Sequence, residues 1–241
     1  MTQRLAPTTP SSSPSTGLPS VAATPAPALV RAGGIAAQVV AGTYVVGFLA
    51  MAAYLVPRGF ATPVDDPSGS FDFLRDHQAQ LAGWYFVLYL LGGAAMTVVS
   101  LGVGERLSSA PALARVSAAF GLIWSGLIIA SGSVALVGQQ AAVALHAQDP
   151  DLALGTWVST SVVQDALGGG IEVAGALWAA VVGFAVLRTR ALSAGLGGLA
   201  LGLSVAGAAT VIPSASEAAT SIFGLGLLVW FTWLGLALLR R

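Results

Sequence analysis

The residue with the clearest potential for chemistry is Glu172, in the segment GGGIEVAGALW. It is the only ionisable residue that falls well inside an apolar stretch long enough to cross a membrane. A charged carboxyl at that depth is costly unless it is paired, hydrated or protonated, so such groups are often functional. The alternative is a structural role, in which Glu172 hydrogen-bonds to Gln38, Ser125 or a tyrosine on a neighbouring helix.

A second carboxyl, Asp165, precedes Glu172 by seven residues. If the segment between them stays helical, both side chains lie on one helix face, about two turns apart. A proton or a cation could use such a pair. The alternative is that Asp165 is a first-turn residue that the helix dipole favours.

Other reactive groups are scarce. The chain has no cysteine and no lysine, which excludes thiolate nucleophiles, iron–sulfur ligands and lysine Schiff bases. His77 and His146 fall in predicted outer loops without metal-ligand spacing, so we expect solvated histidines, no metal site and no cofactor. A serine nucleophile within a span would need a base at the same depth in the membrane, and no histidine lies within a predicted span. We therefore predict that the protein is not an enzyme.

The elements that must position Glu172 follow from composition. Hydrophobic residues make up 56% of the chain and charged residues 8%, against about a quarter charged in soluble domains. Apolar windows of about 20 residues indicate membrane-spanning helices. The sequence therefore predicts an all-α, polytopic bundle in a lipid bilayer, with six transmembrane helices at about 34–56, 81–103, 116–137, 167–187, 193–212 and 222–239.

The charged residues predict an orientation. Of the ten arginines, only Arg58 and Arg75 lie on one side of the predicted spans, and the other eight lie on the opposite side. Arginine in short loops is retained in the cytoplasm, so both chain ends should be cytoplasmic. Eight acidic residues agree with this by falling on the outer side: Asp65, Asp66, Asp72, Asp76, Asp149, Asp151, Asp165 and Glu217.

Residues 1–30 are rich in proline, serine, threonine and alanine, and they predict a disordered cytoplasmic tail ahead of a transmembrane domain at 31–241. The tail lacks the apolar stretch of a cleavable signal peptide. It is either a dispensable spacer or a segment that docks a partner or is phosphorylated.

Three local signals concern the outer segments. Ser70 and Asp149 are predicted N-caps, the latter with Pro150 in the first turn. Trp84 is predicted to anchor its helix at headgroup depth. A helix from 150 to 187 would reach about 57 Å, well beyond one crossing, so we expect a break at the three glycines that begin at Gly168.

A row of small residues lies along the fifth predicted span, at four-residue spacing. Such a row lets two helices touch backbone to backbone in lipid. It predicts either tight packing within the bundle or a homodimer contact, through Ala194, Gly198, Gly202 and Ala206.

The later chain resembles a known group of bacterial membrane proteins. The stretch GGGIEVAGALWAAVVGFAVLRTRALSAGLGGLALGLSVAG and the final helix are similar to the six-helix proteins of domain of unknown function family 4386. LGGAAMTVVSLGVGERL and ALARVSAAFGLIWSGLIIASGSVALVG are similar in arrangement. The resemblance covers about residues 34–240. It implies an integral membrane protein without an assigned activity and supplies no catalytic residues.

These observations lead to two functional hypotheses. The first is a non-enzymatic protein of the bacterial inner membrane that acts as a structural or regulatory subunit or as a small-molecule sensor. The second is a small secondary carrier or proton-linked permease that uses Glu172. A membrane-protein partner or a second copy fits either hypothesis, the small molecule is not specified, and nucleic acid is not expected because the chain has no basic cluster.

Overall fold

A computed structural model describes residues 27–240 as a series of helices joined by short loops. The α-helices are α1 (Pro27–Ala50), α2 (Pro67–Tyr85), α3 (Gly92–Arg106), α4 (Pro111–Leu145), α5 (Pro150–Gln164), α6 (Val173–Thr189), α7 (Ala194–Ala209) and α8 (Ser216–Leu239). Short π-helical segments follow three of them, at Met51–Leu55, Phe86–Leu91 and Asp165–Gly169, and a 3-10 turn covers Val56–Arg58.

The helices combine into membrane spans. Five helical segments are long and apolar enough to cross a bilayer: Pro27–Arg58, Pro67–Arg106, Pro111–Leu145, Pro150–Thr189 and Ser216–Leu239. The shorter apolar helix α7, with 16 residues, extends about 24 Å against a hydrocarbon layer of about 30 Å. With α7 as the sixth, the structure confirms the predicted all-α polytopic bundle.

The six spans close into a ring in chain order. Helix α1 packs on α3, α3 on α4, α4 on α6, α6 on α7 and α7 on α8, and α8 returns to α1. Each consecutive pair is joined by a short loop, so neighbours in sequence become neighbours in space. The ring has two ends. We call the end with the α1–α2, α4–α5 and α7–α8 loops the acidic end, and the other the arginine end.

The second, third and fourth spans are longer than a bilayer crossing. They contain 40, 35 and 40 residues, or about 50 to 60 Å of helix. Their excess length forms a small three-helix layer at the acidic end, in which Phe71 and Leu74 of α2 and Trp157 of α5 pack on the last turns of α4. The two long outer segments are therefore largely helical, in agreement with the N-caps predicted within them.

Two of the helices that begin at the acidic end, α2 and α5, are capped by aspartates. The Asp149 carboxylate accepts a hydrogen bond from the Leu152 amide at 2.9 Å, which confirms its predicted role. The predicted cap at Ser70 is wrong. Helix α2 begins one turn earlier at Pro67, where Asp66 accepts from the Gly69 amide, while the Ser70 hydroxyl is buried inside the helix.

The N-terminal boundary also differs from the prediction. Helix α1 begins at Pro27, so 27–30 belong to the first helix and not to the tail. Proline suits a first turn because it has no amide hydrogen to leave unsatisfied. The rest of the predicted tail lies outside the described residues.

Aromatic rings fill the centre of the ring of helices. Trp178 and Trp230 meet edge to face, with ring centroids 5.3 Å apart, and Trp124 lies 5.6 Å from Trp178. Phe231 stacks against Trp124 and Trp178. These side chains are almost fully buried, so they close the middle of the bundle.

Candidate functional site

The fourth span breaks at the glycines, as predicted. After α5 the chain makes the π-helical segment Asp165–Gly169, in which Gly168 adopts φ +135°, a conformation that residues with a Cβ rarely adopt. The helix resumes at Val173. Glu172 is the residue immediately before α6, and its backbone amide donates to the Thr210 hydroxyl at 3.0 Å. This hydrogen bond ties the break to the end of α7.

Glu172 lines an open cavity of about 250 Å³ within the ring of helices. The lining residues nearest the acidic end, such as Met51 and Thr220, are partly exposed, whereas Val40 and Met96 on the opposite side are buried. The cavity therefore opens toward the acidic end and is closed toward the arginine end.

All three π-helical segments border this cavity. Met51 begins the first, Leu88 and Tyr89 belong to the second and Gly168 belongs to the third, and all four line the space. A π-helical turn leaves backbone groups less regularly paired than an α-turn and is often found at functional sites. Three of them around one cavity mark it as the candidate site.

The polar surroundings of Glu172 are sparse. Its carboxyl lies within electrostatic range of the hydroxyls of Tyr44 and Tyr89. The indole nitrogen of Trp124 lies near the carboxyl but does not form a hydrogen bond with it. This nitrogen has no other hydrogen-bond partner among the described residues. Among residues 27–240, no arginine pairs with Glu172 and none lines the cavity.

Asp165 does not share the Glu172 site. The predicted common face required an unbroken helix, and the turn at Gly168 interrupts it between the two carboxyls. Asp165 is absent from the cavity lining and lies instead within electrostatic range of Tyr85 and Tyr89. Its backbone carbonyl accepts from the amides of Gly170 and Ile171 and so closes the break.

The predicted polar partners Gln38 and Ser125 are occupied elsewhere. The Gln38 side-chain amide donates to the Thr232 carbonyl of α8 at 2.9 Å. The Ser125 hydroxyl donates to the Gly93 carbonyl at 2.7 Å and pairs with Thr97. Both residues tie helices together, and neither lines the cavity. The predicted bond to a tyrosine is replaced by electrostatic proximity to Tyr44 and Tyr89.

A hydrogen-bond network beside the site was not anticipated from the sequence. The Gln164 side-chain amide donates to the Tyr89 hydroxyl at 3.0 Å, and the Ser131 hydroxyl donates to the backbone carbonyl of Gln164 at 2.8 Å. The network fixes Tyr89, a cavity residue, against α4 and the start of the break. In the sequence, the signal for this network was Gln164, a polar residue just before the run of glycines.

Trp84, the predicted interface anchor, also joins two spans. Its indole nitrogen donates to the Gly47 carbonyl of α1 at 3.2 Å, and its side chain lines the cavity. It therefore connects the second span to the first across the cavity mouth.

The row of small residues in α7 is not the packing face of that helix within the bundle. Gly198 and Gly202 are exposed, and a Cβ added to either would meet no atom within 4 Å. The close approach within the bundle uses Gly183 and Gly197 instead, where an added Cβ at Gly183 would lie 2.8 Å from the Gly197 carbonyl oxygen. Of the two predicted uses, packing within the bundle is wrong for the exposed residues Ala194, Gly198 and Gly202, whereas the half-buried Ala206 does pack against the core. The homodimer contact stays a prediction.

The histidines pack against aromatic rings and are not simply solvated. His77 stacks on Phe73 with ring centroids 4.4 Å apart, and His146 lies 5.3 Å from the Phe71 ring. Within the part of the chain that the structure describes, no three histidine or acidic side chains are grouped as metal ligands. Both histidines belong to the helical layer at the acidic end.

Comparison with protein-family models, with curated proteins and with solved structures finds no match for this chain. Membership of the six-helix family that the sequence resembles therefore stays a prediction.

Proposed function

We propose that this chain is a non-enzymatic protein of the bacterial inner membrane that binds a small molecule around Glu172 and acts as a sensor or regulatory subunit. The observation that carries the proposal is the open cavity, in which one acidic side chain lies among apolar and aromatic residues. Concave, mostly apolar spaces with few polar groups are the usual form of small-molecule sites.

Binding fits the cavity better than catalysis does. Of its two threonine hydroxyls, that of Thr43 donates to the Val40 carbonyl, and that of Thr220 faces the Gly170 carbonyl at 3.5 Å. No described histidine lines the cavity, and neither hydroxyl is hydrogen-bonded to the Glu172 carboxyl, the one acidic group there that could serve as a base. A hydroxyl nucleophile needs such a base within hydrogen-bond reach.

A secondary carrier or proton-linked permease is the second candidate. The broken fourth span favours it, because carriers often bind substrates where a spanning helix is discontinuous. The buried aromatic cluster around Trp178 closes the middle of the bundle, which favours binding without passage in the conformation described. A carrier would show pH-gradient-driven uptake into proteoliposomes that Glu172→Gln abolishes while the protein remains folded.

A substitution that fills the cavity tests the proposal. Gly224 lines the space, and an added Cβ there would meet only the Phe48 ring end, at 3.3 Å. Gly224→Leu should therefore fill the cavity and leave the helices in place. We expect members of a chemically diverse small-molecule library to raise the Tm of the purified wild type in detergent and to leave that of Gly224→Leu unchanged.

The matched control is Gly202→Leu, at an exposed glycine of α7 that does not line the cavity, which should respond as the wild type does. If no compound stabilises the wild type, or if the same compounds stabilise wild type and Gly224→Leu equally, the cavity is not a binding site and the proposal fails.

A further inference from the structure

We propose that the ligand of the Glu172 cavity is a monovalent organic cation with an apolar or aromatic body. This inference rests on the proposed function and names the chemical class that the cavity selects. Three features of the cavity carry it: the aromatic lining, the lone carboxyl and the scarcity of other oxygen ligands.

The lining is strongly aromatic. Only 8% of the chain is aromatic, yet six of the eighteen lining residues are Tyr44, Phe48, Trp84, Tyr89, Trp124 and Phe231. Aromatic faces attract ammonium and quaternary ammonium groups through their quadrupoles, most strongly where water is excluded. The same rings provide apolar surface for the body of the ligand.

The carboxyl of Glu172 has no counter-charge of its own. No described arginine or histidine lines the cavity, and Asp165 lies outside it. An unpaired carboxylate at this depth is costly, and a bound cation would offset that cost. An anionic ligand would meet the same carboxylate as a repelling charge.

A metal cation fits the site less well than an organic one. Small hard cations need about six oxygen ligands. The described lining offers a single carboxyl to match a metal's charge. Its other side-chain oxygens are neutral hydroxyls, those of Thr43, Tyr44, Tyr89 and Thr220, and those of Thr43 and Thr220 point to backbone carbonyls. An organic cation needs one opposite charge and apolar surface, and both are present.

The cavity volume limits the size of the cation. At about 250 Å³ the space falls just below the range of about 300 to 1,000 Å³ that is typical of drug-sized ligands. One aromatic ring with a compact ammonium head is therefore a suitable probe, and benzyltrimethylammonium has this form.

The test compares three probes of similar size on the purified full chain in detergent: benzyltrimethylammonium, its neutral isostere neopentylbenzene and the anion phenylacetate. Binding is followed by tryptophan fluorescence, since Trp84 and Trp124 line the cavity, and by calorimetry. We expect the cation to bind at least about tenfold more tightly than either other probe.

Two variants localise the effect of charge. Glu172→Gln should weaken binding of the cation by at least about tenfold, while Asp165→Asn should leave it unchanged because Asp165 does not line the cavity. If Glu172→Gln fails to fold, Tyr44→Leu, which removes one aromatic face, should weaken cation binding and leave binding of the neutral probe nearly unchanged.

Each outcome decides the proposal. Preference for the cation that is lost in Glu172→Gln supports it. Equal binding of cation and neutral isostere, preferred binding of the anion, or no binding of the cation overturns the assignment of ligand class. In those cases the proposed function survives if Gly224→Leu still abolishes stabilisation by other compounds, and it fails as well if the filled cavity makes no difference.

Discussion

Replacing Gly102 by leucine should prevent the ring of helices from closing. An added Cβ at Gly102 would lie 2.7 Å from the Gly33 Cα and 3.0 Å from the Leu29 carbonyl oxygen, so α1 and α3 touch backbone to backbone here. Backbone atoms cannot rotate away as a side chain can. We expect the free energy of unfolding to fall by about 3 kcal/mol or more, measured by denaturant titration in detergent micelles.

The matched control is again Gly202→Leu. Both substitutions add the same side chain to a glycine within an apolar helix, but Gly202 is exposed and has no neighbouring atom within 4 Å of an added Cβ. Its stability should therefore stay near that of the wild type. Equal losses in the two variants would contradict the described packing of α1 on α3, while a changed oligomeric mass of Gly202→Leu alone would indicate a homodimer contact at α7.

Removing the central indole, in Trp178→Ala, should be the most destabilising of the truncations to alanine. Trp178 is 0% exposed and is surrounded by the rings of Trp124, Trp230 and Phe231. Its indole nitrogen has no hydrogen-bond partner among the described residues, so the loss is one of packing alone. We expect a decrease of about 3 to 5 kcal/mol in the free energy of unfolding, from the same titration.

Trp233 provides the comparison for this prediction, because its side chain is 41% exposed at the outside of the ring. Trp233→Ala should cost less than about 1 kcal/mol. A loss at Trp233 as large as that at Trp178 would mean that the aromatic cluster is not the centre of the bundle.

Much of the fold was predictable because its signals are local. Apolar stretches predict spans, and Asp149 before Pro150 predicts a helix start that the structure confirms. The break at Gly168 followed from two signals: the bilayer is thinner than an unbroken helix of that size, and the run of glycines marks where such a helix is weakest. These signals need no knowledge of what packs against the helix.

The packing faces were not predictable, because helices that are apolar all round give no amphipathic pattern. The small residues Gly198 and Gly202 have the same spacing as a packing face, yet the bundle uses Gly183 and Gly197. Likewise, Asp66 and Ser70 are both suitable N-caps in sequence, and only the structure shows that the helix begins at the earlier one.

The site was predictable only in its acidic residue. Glu172 stood out because a carboxyl in an apolar stretch is rare. Its neighbours Tyr44, Tyr89 and Trp124 come from three other spans, so their convergence depends on ring closure. The sequence suggested Gln38 and Ser125 instead, since any polar residue within a span is a candidate until the helix rotations are known.

Cysteine labelling in cells tests the central claim most directly, and the chain has no cysteine of its own to interfere. The claim is that a cavity open at the outer, acidic end reaches Glu172. Glu172→Cys and Thr220→Cys, both at cavity residues, should react in intact cells with a membrane-impermeant trimethylammonium thiosulfonate. The buried Ala179→Cys should not react, and Ser109→Cys, in the exposed α3–α4 loop, should react only after permeabilisation.

This pattern would support the open cavity and the predicted orientation together. Failure of both cavity thiols to react in intact cells, or reaction of Ser109→Cys without permeabilisation, would contradict the account.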